Sequence, residues 1–391
     1  MNTQLKTIFV FVFLFLVCTI RGTAQNFSID YPSYQYRNSD ALEISRIVRN
    51  DTATILYMDA YSRPNYWIRL ASGLSLHGNQ TGKNYPIIRS QGFELDKEVY
   101  MPASGNVTFS LQFAPLAPQE KMIDFIEGAN KGDFQIKSIS LNEQEKKGKI
   151  HCHISGKVID SPQSSRLVLM KAHKNPSSSP WLSIPIRNGE FQYDFYADHE
   201  EVYEVFIWND MLTGSWLPSL FFAENGPVSF TLYPASTRKP GLVSTSNPLT
   251  CELQQLESER KAKFNFDSLY AQMNKLYEEN RFESEALQTL WKKIEQVKDN
   301  NEERNNIYRE RDRLEESGEA YTEEGKALLA KIKQLNEEMN QWTIKHIKQN
   351  PSLPGLYVLT SKTEMARKGE DVTPFLNAYQ ETFASLYPEH P

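Results

Sequence analysis

The chain has 391 residues, of which 40% are hydrophobic, 12% aromatic and 24% charged, an ordinary globular composition that excludes collagen-like, wholly disordered and multi-span membrane proteins. At roughly 150 residues per domain, this length predicts two to three domains. The 43 Lys and Arg against 49 Asp and Glu leave a formal net charge of -6, so there is no global positive field to hold a nucleic-acid backbone.

Lys6 precedes an unbroken apolar run from Ile8 to Cys18, and Gly22-Thr23-Ala24 places small residues before a cleavage site. This predicts a signal peptide over residues 1–24 and a mature chain that starts at Gln25. The run is about half of the roughly 20 residues a spanning helix needs, which disfavours a retained anchor. Phe15-Leu16-Val17 are bulky where lipidation at Cys18 would want a small residue, which disfavours a lipoprotein. The expected location is the periplasm or cell envelope. Sequons at Asn26, Asn50, Asn79 and Asn106 matter only in a glycosylating host.

From Gln25 to Leu141, short apolar or alternating runs at 53–58, 67–70 and 107–113 lie between clusters of Gly, Asn, Ser and Pro, which predicts a β-sandwich over residues 25–141. Asn142 to Lys149 (NEQEKKGK) is charged, lacks apolar residues and reads as a linker. A second, smaller sandwich or half-barrel is expected over residues 150–236. There Ile150, Cys152 and Ile154 alternate with His151, His153 and Ser155, which puts the first set in the core and the histidines on the other face. Runs at 166–170, 190–195, 202–208 and 228–233 supply further strands, with Asn188-Gly189 and Asn225-Gly226 as turns. Pro234 to Ser246 holds no extended apolar run and reads as a boundary.

Beyond it the apolar period changes. Asn247-Pro248 is an N-cap followed by proline, with Leu249, Leu253 and Leu256 at helical spacing, and a helical domain is expected over residues 247–391. Leu287, Leu290, Ile294 and Val297 form one narrow seam, and Leu328, Ile332, Leu335, Met339 and Trp342 form another. These two runs are expected to pack as a long antiparallel hairpin. Its charged tip, Arg304 to Glu324, would stand in solvent as a face of side-chain pairs or meet a partner. Asn350-Pro351 stops the second helix, and short helices follow near 353–367 and 373–387. The fold class expected is α+β multidomain: two antiparallel β-sandwich-like domains, then an all-α region.

Reactive chemistry is sparse. Two histidines at i and i+2, His151 and His153, could share a zinc or copper ion only with a third ligand from His173, His199 or a carboxylate, none at a recognisable spacing; exposed strand histidines are the simpler reading. No Cys-x-x-Cys pair occurs among Cys18, Cys152 and Cys251. Cys152 and Cys251 could form one disulfide or remain two buried thiols, and Cys251 lies in the first turn of a helix without a partner that would mark it as catalytic. Asp59, Asp124 and Glu127 fall on strand edges or turns, where solvated acids are the default. Tyr66, Trp67, Trp181, Trp208 and Trp216 could form a sugar- or peptide-binding face, although sandwich cores consume most aromatics.

Three groups of short motifs carry a resemblance. Asp51-Thr52-Ala53-Thr54 with Tyr66 to Ser72, Gly92 to Asp96, Gly105 to Phe109 and Ile123 to Glu127 resemble the N-terminal β domain of certain envelope proteins of Bacteroidetes. Ile154-Ser155-Gly156-Lys157-Val158, Asn188-Gly189-Glu190-Phe191 and Phe221 to Val228 resemble the small uncharacterised β domain that precedes the thioredoxin module in their thiol-disulfide oxidoreductases of the AhpC/TSA group. Ser246-Asn247-Pro248 and Ile347 to Ser352 are similar to the linker that carries that module. The resemblance implies a thioredoxin-like domain about where Pro391 ends this sequence, so none of the family's catalytic residues has a counterpart here.

The reading is therefore an exported, non-catalytic binding or accessory protein of the bacterial envelope. One alternative is the N-terminal portion of a thiol-disulfide oxidoreductase whose redox domain lies beyond residue 391 or in a separate chain; another is a carbohydrate-binding or adhesion protein. No catalytic, cofactor-binding or metal-binding residue is assigned, and no cofactor is expected. The expected partner is a protein or a thioredoxin-like module, with no nucleic acid and no membrane span after signal cleavage.

Overall fold

The computed structural model describes residues 27–387 apart from 131, 143–147, 162, 163, 177, 178, 180, 298, 299 and 367–369. The expected signal peptide, most of the expected linker and residues 388–391 lie outside the described residues. The chain divides between Ser244 and Thr245 into two compact units. The fold is α+β, with antiparallel sheets preceding a helical region. No helix among the described residues is long and apolar enough to cross a membrane.

The first unit holds two β modules. Module one contains β1 (Phe27–Asp30), β2 (Tyr36–Arg37), β3 (Leu42–Arg49), β4 (Thr54–Tyr61), β5 (Trp67–Ile68), β6 (Ser75–Gly78), β7 (Asn84–Gln91), β8 (Val99–Tyr100), β9 (Asn106–Phe113), β10 (Met122–Ile126) and β11 (Gln135–Ser140). All but β5 and β8, which pair with each other, join one sheet in the order β1-β3-β4-β9-β7-β6-β10-β11-β2. Along β7 the pairing passes from β6 to β9, with a bulge between Ile87 and Arg89. A strand that changes sheets at a bulge is how a sheet turns a corner. Two layers result, and Leu56, Met58 and Leu111 from one share a core with Leu76, Ile123 and Ile139 from the other. Phe113 meets Phe125 edge-on across that core at 6.5 Å.

Module two contains β12 (Ile150–Val158), β13 (Arg166–Lys171), β14 (Leu182–Pro185), β15 (Glu190–Ala197), β16 (Val202–Ile207), α1 (Trp208–Leu212), β17 (Ser219–Phe222), β18 (Gly226–Leu232) and β19 (Leu242–Thr245). Its sheets, β15-β12-β18-β19 and β14-β13-β16-β17, enclose one core. The expected alternation holds, with Cys152 and Ile154 buried and His151 exposed. One pairing departs from the antiparallel pattern: β12 and β18 run parallel. Gly156 sits where they meet, and a Cβ there would collide with the Phe230 carbonyl, so the close approach requires glycine. Asn188 and Gly189 both adopt positive φ, 54° and 77°, as the two-residue turn before β15 demands. The stretch expected as a featureless boundary carries β19, an edge strand whose Leu242 is exposed while Val243 packs on the core; four residues with one apolar side chain turned inward leave too short a pattern to read.

β13 is buried on both faces. Leu167 and Leu169 point into the sandwich, while Val168 and Met170 pack outward with Phe206 and Trp208. That two-sided burial accounts for its unbroken apolar run.

The second unit holds α2 (Pro248–Lys263), α3 (Asp267–Glu278), α4 (Glu285–Gln296), α5 (Asn301–Ser317), α6 (Glu323–Gln349), α7 (Leu353–Glu364) and α8 (Thr373–Thr382). Side-chain oxygens of Ser284, Asn300, Thr322 and Ser352 cap α4, α5, α6 and α7, each satisfying an otherwise orphaned backbone N–H. The hairpin partner differs from expectation. α4 packs on α5, with Leu287 and Leu290 against Ile307 and Leu314, whereas α6 packs on α3, α7 and α8. The segment expected as a solvated tip is thus largely a helix whose two apolar positions, seven residues apart, suffice to bury one stripe.

Candidate functional site

The two β modules meet along a seam built from cations held between aromatic rings. Arg166, at the start of β13, has a guanidinium 1% exposed. Its Cζ lies 4.1 Å from the ring centre of Trp208, 4.3 Å from Tyr61 and 5.4 Å from Trp181. It donates to the Asp40 carbonyl at 2.8 Å and approaches the Asp40 carboxylate at 3.3 Å. Burial pulls the Arg166 pKa down to about 10, against the opposing pull of Asp40, and the group remains charged at neutral pH.

Arg37 repeats the device, stacked on Trp181 at 4.9 Å and Tyr34 at 5.6 Å while donating to Glu43. Burial raises the Glu43 pKa, and Arg37 opposes that rise. Arg187 approaches buried Asp59 at 3.7 Å, and Thr108 donates to the same carboxylate at 2.5 Å. Of these pairs, Arg166–Asp40 and Arg187–Asp59 cross the seam, while Arg37–Glu43 lies within module one and reaches across only through Trp181. The net gain is modest, because desolvation offsets attraction, but removing one partner strands the other.

Beside the seam lies a cleft of about 1190 Å³. One wall is module one, through Ser28 to Asp30 of β1, Tyr31 and Tyr34; the other is module two, through β13, Trp181 and residues 192–196 of β15. Tyr31 is the joint. Its backbone is left-handed, with φ 45°, a conformation costly for a bulky residue. Its N–H donates to the Ser45 carbonyl at 2.9 Å, and its ring packs on Tyr193 at 4.3 Å. Burial pushes the Tyr31 hydroxyl up to about 12, so it stays a neutral donor. Tyr203, also on the cleft, is raised by burial as well.

The rim is charge-balanced. Lys149 pairs with Asp198 at 3.0 Å and Lys171 with Glu201 at 2.6 Å. His151 and His153 share one oxygen of Asp194, at 2.8 and 3.1 Å, and His151 stacks on Tyr196 at 4.8 Å. The carboxylate that a metal site would need is present, yet its oxygen is engaged by both rings. Among the described residues no group of three or more His, Cys, Asp or Glu could hold a metal ion.

The structure redistributes the other sequence candidates. Trp181 and Trp208 clamp Arg166, and Trp216 stacks on Phe206 at 5.6 Å, so Trp208 and Trp216 are absorbed by the seam and by packing, while Trp181 also lines the cleft. Tyr66 and Trp67 remain exposed, at 58% and 49%. Trp67 lies directly across the β5–β8 ribbon from Tyr100, which is 59% exposed and donates to Glu98 at 2.8 Å. The next pair, Ile68 and Val99, turns inward to the core.

Three carboxylates expected to be solvated are structural. Asp59 is buried at the seam, Glu127 accepts from the N–H groups of Ala71 and Phe134 at 2.6 and 2.8 Å, and Asp124 accepts from Ser138 at 2.8 Å. Among the described residues Cys152 and Cys251 are both free thiols: Cys152 is buried, which pushes its thiol up to about 12, whereas Cys251 is exposed rather than buried as expected.

Tyr31, Tyr34, Arg37, Glu43, Arg166 and Tyr100 had not been singled out from the sequence. The one available signal was the aromatic density of Tyr31-Pro32-Ser33-Tyr34-Gln35-Tyr36, a composition unusual for a connection between strands.

No protein-family description matches this chain, and no curated protein matches it. Among solved structures, the carbohydrate-binding module CBMbc (family CBM26) from Eubacterium rectale Amy13K, in complex with maltoheptaose, is similar at a TM-score of 0.19 and 12% identity, covering 46% of this chain and 93% of that one. Pullulanase type I from Bacillus subtilis str. 168, complexed with maltose, follows at 0.14 and 10%, covering 43% of this chain and 23% of that one. The T6 backbone pilin of serotype M6 Streptococcus pyogenes gives 0.13 and 8%, covering 52% of each chain. Likenesses this slight carry neither fold nor function across to this chain.

Proposed function

We propose that this chain is an exported, non-catalytic binding protein of the bacterial envelope, related to the N-terminal region of thioredoxin-like thiol-disulfide oxidoreductases, and that its ligand seat is the cleft between the two β modules. The observation that carries the reading is the cleft itself: about 1190 Å³, somewhat above the range of roughly 300–1,000 Å³ usual for small-molecule sites, and walled by half-buried aromatics. Its charged rim groups Lys149, Lys171 and Asp194 are held in pairs, which suits recognition better than proton transfer. Cys152 lies buried in a strand and Cys251 in a helix, so neither supplies the paired thiols of redox chemistry.

Site-specific photo-crosslinking tests this. A benzophenone amino acid at Tyr34 should give discrete adducts in cells that export the chain, and the same group at exposed Tyr57, outside the cleft, should not. Equal labelling from both positions would remove the cleft as the seat.

A second reading, carbohydrate binding, is favoured by the Trp67–Tyr100 pair. The ribbon anchors itself through Ile68 and Val99 and leaves two rings side by side in solvent, the geometry on which the C–H face of a sugar stacks. A glycan array probed with the mature chain and with Trp67→Ala tests it; binding that Trp67→Ala retains would exclude the ribbon.

A further inference from the structure

The two walls of the cleft are sheet edges. β1 closes one end of the nine-stranded sheet and β15 closes one end of the sheet β15-β12-β18-β19. The parity of β15 follows from its pairing with β12: the Val158 N–H donates to the Gly189 carbonyl at 2.8 Å, and the register carries that hydrogen-bonded alternation through Gly156 with Phe191 and Ile154 with Tyr193. Phe191, Tyr193 and Phe195 therefore turn their backbone groups toward β12, and Gln192 and Asp194 turn theirs outward. The outward edge is closed at Glu190, which exchanges hydrogen bonds with Arg187 at 3.0 and 2.8 Å. Past that point no strand pairs with β15 on this side among the described residues.

An edge strand of eight residues without proline is an aggregation hazard that proteins ordinarily blunt with lysine, proline or a bulge. β15 has none of these; its two charges are Glu190, at the end already closed by Arg187, and Asp194, whose side chain is held by His151 and His153. The residues of its open edge line a cleft rather than open surface.

We infer that the cleft seats an extended peptide, which adds as a strand to the outer edge of β15. Backbone donors and acceptors at Gln192 and Asp194 would provide sequence-independent hydrogen bonds, and alternate side chains of the peptide would enter seats formed by Tyr34, Trp181 and Tyr203. Because Lys149 and Lys171 on the rim are already paired with acids, the peptide that fits is apolar at alternate positions and carries little net charge. The Ser28–Asp30 edge of β1 forms the facing wall. An oligosaccharide can hydrogen-bond backbone groups through its hydroxyls, but only an extended peptide repeats paired N–H and C=O groups at strand spacing. This inference rests on the cleft being the binding seat and names the class of ligand.

The probe is a library of linear peptides of about 12 residues, long enough to cover β15 at roughly 3.3 Å per residue, selected on the mature chain. Bound peptides should slow hydrogen exchange at the Gln192 and Asp194 amides by roughly tenfold or more. N-methylation at alternate residues of a selected peptide should abolish binding in one phase and spare it in the other. Gln192→Pro should lose binding at least roughly tenfold; should that variant fail to fold, the exchange and N-methyl measurements decide on the wild-type chain. No selected peptide, no protection at these amides, or indifference to N-methyl phase overturns the inference, as does protection by soluble oligosaccharides in place of peptides. Adducts at Tyr34 without peptide protection at β15 would overturn strand addition and leave the cleft standing. Absence of both would remove the cleft reading as well.

Discussion

Glu204 should make module two less stable as the solution becomes more alkaline. It sits on β16 opposite Met170 and Leu220, 6% exposed, on the outer apolar face shared with Phe206 and Trp208. Burial raises its pKa from 4.5 to about 7, with only the backbone N–H of His173 opposing; among the described residues no cation is paired with it. The folded chain thus holds this proton more tightly than the unfolded chain. Stability is full below about pH 4.5, falls as pH rises toward about 7, and stays lower above that. At about 1.4 kcal/mol per pKa unit, the penalty at pH 8 is about 3 kcal/mol. Glu204→Gln keeps an acceptor for His173 and removes the charge. Its stability relative to wild type should rise from near zero at pH 4.5 to that value at pH 8. Pulse labelling of Cys152, buried in the core of module two, along a urea series reads the unfolding that exposes this core, provided Cys251→Ser is present in both chains. A difference between variant and wild type that does not change with pH would refute the reasoning.

Arg166→Lys should destabilise the seam by about 2 kcal/mol, because an ammonium can neither stack flat between Tyr61 and Trp208 nor reach Asp40 with a planar fork; a shift in the Cys152 labelling midpoint measures it. Of Cys152 and Cys251, a thiol reagent should modify only Cys251 under native conditions and reach Cys152 only on unfolding, as mass spectrometry of the labelled peptides will tell. Trp67→Ala should change stability by less than about 0.5 kcal/mol, since the ring is half exposed, so any loss of glycan binding would be local. Glu120 accepts from Gln80 at 3.0 Å and Tyr85 at 3.0 Å and also from Thr81; burial raises its pKa, but these bonds outweigh that and leave it below the ordinary 4.5. Its contribution is present at neutral pH and lost as pH falls through the depressed value, so Glu120→Gln should narrow its deficit against wild type in acid denaturation below about pH 4.5.

The order of β and helical segments was legible because the apolar period is local: the Ile150-Cys152-Ile154 alternation and the Leu253-Leu256 spacing need no knowledge of distant chain. What was not legible depends on pairs far apart in sequence. Asp59 reads as a solvated acid until Thr108 and Arg187 are brought to it. Arg166 reads only as the first residue of the 166–170 strand run until Tyr61, Trp181 and Trp208 close around its guanidinium. The hairpin was assigned to the two richest apolar seams, yet Ile307 and Leu314 alone gave α5 a stripe that α4 could cover. The cleft left no trace for the same reason, since β1 and β15 are edges only by virtue of sheet orders that the sequence does not display. Tyr100 was overlooked because two-residue strands carry no period, and only its register against Trp67 gives it meaning.

Hydroxyl-radical footprinting compares the purified mature chain with the same chain resident in the envelope of cells that export it, and tests the cleft as a binding seat most directly. The account predicts that Tyr34 and Trp181 lose reactivity in the envelope while exposed Tyr57 keeps it. Equal reactivity of Tyr34 and Trp181 in both preparations would contradict it.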